Sequence, residues 1–293
     1  MARWFVRFWG VRGSIPVPGA QTLKYGGNTS CHEIYTEDGD RVVFDAGSGI
    51  FQLGRNLDLS KQQSIPLFIT HPHWDHINGL PLFPPIFIPG NEIKVYGPRT
   101  YEMSLEDIIE GQMKYTYFPV RVAELHARFS YVEMEDASQV TIGPFRITAR
   151  KLNHPVDCLG YRVEYGGKTF IYLGDNEPYY NVYRDGDREV ERTIEEMNEG
   201  LVDFVRGADL LITDSQYIPS EYEKKRGFGH SSTHHSINMA LRAGVRRLYL
   251  NHHDPERSDE ELDRILEHYR ERLQKKGHDM ELAATREGET VEM

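Results

Sequence analysis

The chain has 293 residues with a formal net charge of −11, 39% of them hydrophobic and 27% charged, which suits a globular protein of one large α/β domain or two small ones. The acidic balance argues against long RNA or DNA as substrate, because nucleic-acid binders carry basic surface to neutralise phosphates, but it leaves room for a small phosphate ester. No apolar run approaches the roughly 20 residues that span a bilayer, Met1 to Trp9 lacks a signal peptide's apolar core and cleavage site, and the two cysteines, Cys31 and Cys158, imply no disulfide framework, so a cytoplasmic protein with no membrane partner is expected.

The elements read in chain order as follows. Residues 3–9 alternate as a strand. Residues 32–36 and 41–45 read as a hairpin across Glu37-Asp38-Gly39-Asp40, and a short helix follows near 50–57. Ile65 to Thr70 is an apolar run that predicts a buried strand. Residues 77–118 read as an insertion, with a Pro-rich start from Pro81 to Pro89 and a helix from about 101 to 113. Strands are predicted near 120–125, 129–133 and 145–150, then a hairpin of 161–165 and 169–173 across Gly166-Gly167. The acidic stretch 185–206 reads as a surface helix, either a lid or dimer arm or a plain solvated face. Leu210 to Thr213 is a buried strand. A helix over 233–243 ends at Ala243-Gly244, Arg247 to Asn251 is a strand, and Ser258-Asp259-Glu260-Glu261 opens a helix to about 275 with a capping box. Early strands followed by βα units predict two sheets sandwiched between helices.

Chemistry concentrates in Thr70-His71-Pro72-His73-Trp74-Asp75-His76, directly after a predicted buried strand. Neutral imidazole and carboxylate suit zinc, manganese or iron. His71 and His73 would face one ion, and Asp75 and His76 a second beside it. The bland alternative is a polar loop with chance histidines. Four other strand ends supply partners: His154 after Leu152-Asn153, Asp175 after Leu173-Gly174, His252 or His253 after Asn251, and Asp45. Alone, each is weak, since a strand-end aspartate is usually a turn former. Together they predict one metal on His71, His73 and His154, a second on Asp75, His76 and His252, and Asp175 bridging with its two oxygens. Asp45 is expected to orient a ligand.

These segments, in this order, resemble the metallo-β-lactamase superfamily. Its HxHxDH signature is matched by His71, His73, Asp75 and His76, and its later His, Asp and His by His154, Asp175 and His252. The resemblance spans nearly the whole chain and implies a single domain over 1–293, folded as a four-layer αβ/βα sandwich of two mixed sheets flanked by helices. Ala208 to Tyr217, then Gly229-His230-Ser231-Ser232, then Leu250-Asn251-His252 resemble the phosphodiesterase branch, which includes ribonuclease Z and cyclic-nucleotide phosphodiesterases. There an acidic residue pairs with the histidine of the Gly-His-Ser segment, and the matching positions are Asp214 and His230. Phe8 to Pro16, with Tyr25-Gly26-Gly27-Asn28-Thr29-Ser30, resembles a bacterial cyclic-nucleotide phosphodiesterase-like subgroup. A homodimer is implied by the same resemblance. The glycine- and basic-rich arm with which ribonuclease Z grips transfer RNA has no match here.

The expected activity is a binuclear phosphodiesterase acting on a cyclic nucleotide, cyclic dinucleotide or other small diester. Two ions roughly 3.5–4 Å apart would share a hydroxide that attacks phosphorus. His230, oriented by Asp214, would stabilise or protonate the leaving oxygen, and Asp75 belongs to the same catalytic set. Lys224, Lys225 and Arg226 offer contacts to a second phosphate or read as a solvated loop. Tyr115, Tyr117 and Phe118 offer stacking surface for a base, although core packing is the commoner role. The competing readings are a lactonase or thioesterase of the same fold, ribonuclease Z-like processing, and a non-catalytic metal-binding sensor.

Overall fold

The structure is a computed structural model that describes residues 3–182 and 187–293. Positions 185 and 186 of the predicted acidic helix lie outside the described residues. The elements run β1 (Trp4–Gly10), β2 (Cys31–Thr36), β3 (Arg41–Phe44), α1 (Ile50–Asn56), β4 (Ser64–Phe68), α2 (Trp74–Ile77), β5 (Glu92–Gly97), α3 (Leu105–Gly111), β6 (Arg128–Glu133), β7 (Gln139–Ile142) and β8 (Phe145–Lys151). They continue with β9 (Leu159–Tyr165), β10 (Lys168–Leu173), α4 (Arg188–Val205), β11 (Leu210–Asp214), α5 (Pro219–Lys225), α6 (Thr233–Arg242), β12 (Arg247–Asn251), α7 (Asp259–Lys275), β13 (Glu281–Ala284) and β14 (Thr290–Glu292).

The strands form two seven-stranded sheets, ordered β14-β1-β2-β3-β4-β5-β6 and β13-β12-β11-β10-β9-β8-β7. Strand periodicity sends alternate side chains to opposite faces. Val6, Phe8, Phe44 and Phe68 of one sheet therefore meet Phe145, Tyr161, Phe170 and Ile212 of the other in the central core. On the outer face of the first sheet, Ile50 and Leu53 of α1 and Leu105 and Ile109 of α3 cover Val43, Leu67 and Val95. On that of the second, α4, α6 and α7 bring Val202, Ile237 and Leu266 onto Ile171, Leu211 and Leu248. The result is helix, sheet, sheet, helix, the four layers expected. Among the described residues no helix is long and apolar enough to cross a membrane.

Local chemistry explains where elements fall. Gly166 and Gly167 have φ of 62° and 76°, the pair of positive values that a two-residue hairpin between β9 and β10 requires. Ser258 and Glu261 cap α7 reciprocally. Helix α3 is shorter than the predicted 101–113 because Ser104 caps it, accepting from the Asp107 amide at 3.1 Å. No strand forms over 120–125. Glu124 accepts from the Arg121 amide at 2.9 Å, and Val122–Glu124 closes as a 3-10 turn. The segment 77–118, read from sequence as an insertion, carries β5, which pairs in parallel with β4 and β6. That part of it is integral to the sheet.

Candidate metal centre

Six segments meet where strands end. From the first sheet come Asp45, after β3, and Thr70 to His76, after β4. From the second come His154 after β8, Asp175 after β10, Asp214 at the end of β11, and His252 after β12. The segment after β4 is still extended at His73, with φ −62° and ψ 148°, and becomes helical at Trp74. His71 and His73 thus precede the turn, while Asp75 and His76 follow it.

The ligand atoms of His71, His73, His154 and Asp175 lie within 4.8 Å of one another, as do those of Asp75, His76, Asp175 and His252. Asp175 belongs to both groups. One of its oxygens is 3.4 Å from His71 Nε2, and the other is 3.3 Å from His76 Nε2 and 3.2 Å from His252 Nε2. His154 Nε2 is 3.0 Å from His73 Nδ1, and Asp75 is 3.0 Å from His252 Nε2. His253 points elsewhere, with Nε2 3.0 Å from the Thr285 carbonyl.

The chemistry of these atoms fits metal. His71 Nε2, His76 Nε2 and Asp175 Oδ1 are buried and have no hydrogen-bond partner. Leaving such a group unpaired costs about 1–3 kcal/mol, and cations held by the two groups would satisfy all three. Burial lowers the pKa of His71 well below its usual value and that of His154 to about 4, so both imidazoles stay neutral and keep a lone pair for a cation. The opposite ring nitrogens are held by the protein. His76 Nδ1 is 2.8 Å from Asp45, His71 Nδ1 3.1 Å from Thr70 Oγ1, His154 Nδ1 3.0 Å from the Gly229 carbonyl, and His252 Nδ1 3.1 Å from Gln216 Oε1. Such contacts fix ring orientation and tautomer. Asp45 is itself fixed by the Thr70 amide and the Tyr172 hydroxyl, both at 2.7 Å. Asp45 and His252 both adopt left-handed backbone, with φ of 59° and 58°, a conformation that non-glycine residues hold only when their surroundings enforce it.

A clamp that sequence reasoning missed comes from the loop after β1. Arg12 is fully buried. Its guanidinium donates to the Gly26 carbonyl at 2.8 Å and to the carbonyls of Asp254 and Arg257 at 3.0 and 2.6 Å. This ties the loop to the segment after His252. A Cβ on Gly13 would lie 2.3 Å from the His252 ring, so only glycine lets the backbone approach this ring. The Ser14 amide then donates to Asp75 Oδ2 at 2.7 Å. The available signal was a glycine-punctuated break, Gly10-Val11-Arg12-Gly13-Ser14, after a strand.

Asp214 and His230 pair at 3.0 Å between Oδ2 and Nδ1. Burial alone would lower the His230 pKa, but the Asp214 and then the Asp175 carboxylates outweigh it and raise the value to about 9. The Ser231 and Asn176 amides also donate to Asp214, at 3.1 and 3.3 Å. The His230 ring stacks on His252 at 4.9 Å, beside the ligand cluster. A second missed residue, buried Glu177, accepts from the Tyr222 hydroxyl and the Gly227 amide at 2.9 Å and the Gly229 amide at 3.0 Å. It thereby shapes the turn that carries His230.

A cleft of about 1330 Å³ opens beside the cluster. It runs from His154 and Pro72 past Trp74 to Tyr101, Met103 and Tyr117. Of the three aromatic residues considered from sequence, Phe118 packs on the core, and Tyr115 is covered by the Arg121 guanidinium at 4.2 Å. Tyr117 faces the cleft.

Comparison with known proteins agrees with this geometry. A ribonuclease BN from Cronobacter sakazakii is 25% identical over 258 residues, covering 76% of this chain and 82% of that protein. A ribonuclease Z from Limosilactobacillus reuteri is 25% identical over 254 residues, covering 72% and 76%. Among solved structures, the metallo-beta-lactamase fold protein YhfI from Bacillus subtilis superposes with a TM-score of 0.70 at 20% identity, and unliganded yeast PDE1 with 0.69 at 15%, each covering 100% of both chains. The profile described as Beta-lactamase superfamily domain matches residues 40–253. With more than half of its length inside that match, the chain belongs to the beta-lactamase superfamily.

Proposed function

We propose that this metal-dependent hydrolase cleaves a small phosphodiester, with a nucleotide, and foremost a cyclic one, as its substrate. The observation that carries the reading is the Asp214–His230 pair beside the donor cluster. Hydrolysis at phosphorus builds charge on the leaving oxygen as well as on the phosphoryl oxygens. Attack on a lactone or thioester does not need a second, carboxylate-backed imidazole.

His71, His73 and His154 would hold one cation, Asp75, His76 and His252 a second, and Asp175 would serve both. When bound, such cations polarise phosphoryl oxygens and make water acidic enough to attack at neutral pH. The protein's own part is orientation and proton handling. Asp214 accepts the Nδ1 proton of His230 and favours the imidazolium. Nε2–H remains as the donor, and it passes its proton to the departing oxygen. Glu177 keeps the His230 turn in place. Ser14 and Gln216 keep Asp75 and His252 aimed at the centre.

A second reading, cleavage of RNA by the same chemistry, is favoured by the relatives named ribonuclease BN and ribonuclease Z. The net charge of −11 favours the small substrate. The test is hydrolysis of bis(p-nitrophenyl) phosphate, cyclic mono- and dinucleotides and a transfer-RNA precursor, after loading with zinc or manganese. The wild type is expected to cleave the small diesters, and His230→Ala to lose about 10²- to 10⁴-fold in kcat with its metal content intact. Cleavage of the precursor alone would favour the ribonuclease. Inertness toward every diester in fully loaded protein would sink both and direct attention to lactones and thioesters.

A further inference from the structure

We propose that the cleft beside the metal centre is a base-stacking site, in which Trp74, Tyr101 and Tyr117 take the planar heteroaromatic base of a nucleotide. The assignment deepens the phosphodiesterase reading and rests on it for the fate of the bound ligand.

Three observations converge. The first is exposure. Trp74 is 82% exposed, Tyr101 99% and Tyr117 76%, whereas Trp4 and Trp9 are 3% and 6% exposed. Large aromatic rings carry the greatest gain on burial, so rings left in water around one concavity mark a surface that is covered in use. The second is that they lack partners. Among the described residues, none of these three side chains has a hydrogen bond, a ring neighbour or a cation over its face. Tyr115, nearby, has both a guanidinium and the Glu124 carboxylate.

The third is position. Trp74 stands between His73 and Asp75, both members of the ligand groups. Its backbone is pinned at the start of α2, where the Trp74 carbonyl accepts from the Asn78 amide at 2.7 Å. The indole is thus held away from the core and next to the reacting centre. Tyr101 and Tyr117 flank α3, which is anchored by buried Leu105 and Ile109. Pro72 and His154 line the same cleft and join it to the donor cluster. Thr100, Gln112 and Thr116 intersperse polar groups among the rings, as a ligand with an apolar face and a hydrogen-bonding edge requires. The volume of about 1330 Å³ exceeds the roughly 300–1,000 Å³ common for small-ligand sites, so a nucleoside fits while its phosphate reaches the centre.

Stacking of a base on an aromatic side chain contributes roughly 5- to 150-fold in affinity. Because Trp74 is the one exposed residue of the three tryptophans, its emission reports the site directly, without turnover. The full-length protein is titrated with adenosine 5′-monophosphate and, separately, with ribose 5-phosphate. The expected result is saturable quenching by the nucleotide, with ribose phosphate at least about tenfold weaker, and disappearance of that quenching in Trp74→Leu. In Tyr101→Ser/Tyr117→Ser, read through Trp74 itself, the apparent Kd rises about tenfold. The ratio of kcat/KM for cyclic adenosine nucleotide over ribose cyclic phosphate falls in parallel, through KM. Surface substitutions of this kind leave folding intact.

Equal quenching by both probes, or none by either, overturns the proposal. So does an indole that acrylamide reaches only on dilution, because a second copy of the chain then covers it. Nucleotide quenching in a loaded protein that hydrolyses no diester would keep the base site and sink the phosphodiesterase. Diester hydrolysis blind to the base would do the reverse.

Discussion

Replacing Gly13 with alanine tests whether the loop after β1 sets the geometry of the metal centre. The added Cβ would sit 2.3 Å from one ring atom of His252 and 2.4 Å from another. Carbon atoms in comfortable contact are 3.5 Å or more apart, so the ring must retreat by about 1 Å. It has nowhere easy to go. Nδ1 is held at 3.1 Å from Gln216 and Nε2 at 3.0 Å from Asp75. The loop cannot recede either, because Arg12 is fully buried and bonded to three carbonyls. Gly13 is not among the residues with positive φ, so alanine brings no backbone strain and the effect is steric. Metal–ligand distances tolerate only about 0.2 Å. Gly13→Ala should therefore fold, keep the cation held by His71, His73 and His154, and bind the second at least about 10- to 100-fold more weakly. The assay is metal content after dialysis against graded chelator, beside Gly19→Ala, whose Cβ meets nothing within 4 Å. Two tightly held equivalents in Gly13→Ala would refute the steric argument.

Three further outcomes are expected. Asp45→Asn removes the carboxylate at 2.8 Å from His76 Nδ1 and should lower metal affinity about 10- to 100-fold; competition with a chromophoric chelator measures it, and an unchanged affinity would end the orienting role. Glu177→Gln sets an amide against the Gly227 and Gly229 N–H groups, so kcat on a diester should fall about 10- to 100-fold with metal content preserved, and loss of metal instead would point to a purely structural role. His32 is fully buried, and burial lowers its pKa to about 3. Its folded value lies below the unfolded value near 6.5, so its contribution is complete above about pH 6.5 and is lost as pH falls toward 3, with a slope near 1.4 kcal/mol per pH unit. His32→Leu should flatten acid denaturation in that window, and parallel curves for the two proteins would contradict this account.

What could be read from the chain was local. The Gly166-Gly167 turn and the Ser258–Glu261 capping box announce themselves because a few neighbouring residues satisfy each other. The candidate metal-binding residues were visible for a related reason: polar residues with lone pairs stand directly after apolar strands. The alternation of Ile93 and Val95 in β5 was also available, but the preceding prolines drew the segment into an insertion. Other features have partners far along the chain. Nothing near Arg12 says that it will be wholly buried against carbonyls of residues 254 and 257. Glu177 acquires its meaning from amides about fifty positions later, and Gln216 from a ring 36 residues away. Strand β14, three residues long, is defined by its register with Phe5, Val6 and Arg7 rather than by its own pattern.

Each of the two donor groups that share Asp175 straddles the two sheets. His71 and His73 hang from the first, with His154 and Asp175 on the second; Asp75 and His76 hang from the first, with Asp175 and His252 on the second. Neither half, alone, completes either of these two groups, so a cation bound there would act as a clasp on the seam between them. The opposite end of the seam is closed by apolar contact, where Trp4 meets Phe145 and Tyr165 at ring separations of 5.5 and 6.2 Å. Occupancy by one cation at a thousandfold excess over its Kd would add about 4 kcal/mol to stability, with its contacts all at one edge. Removing metal should then change where the molecule opens as well as how readily. It should part like a book along its fore-edge while the aromatic spine holds.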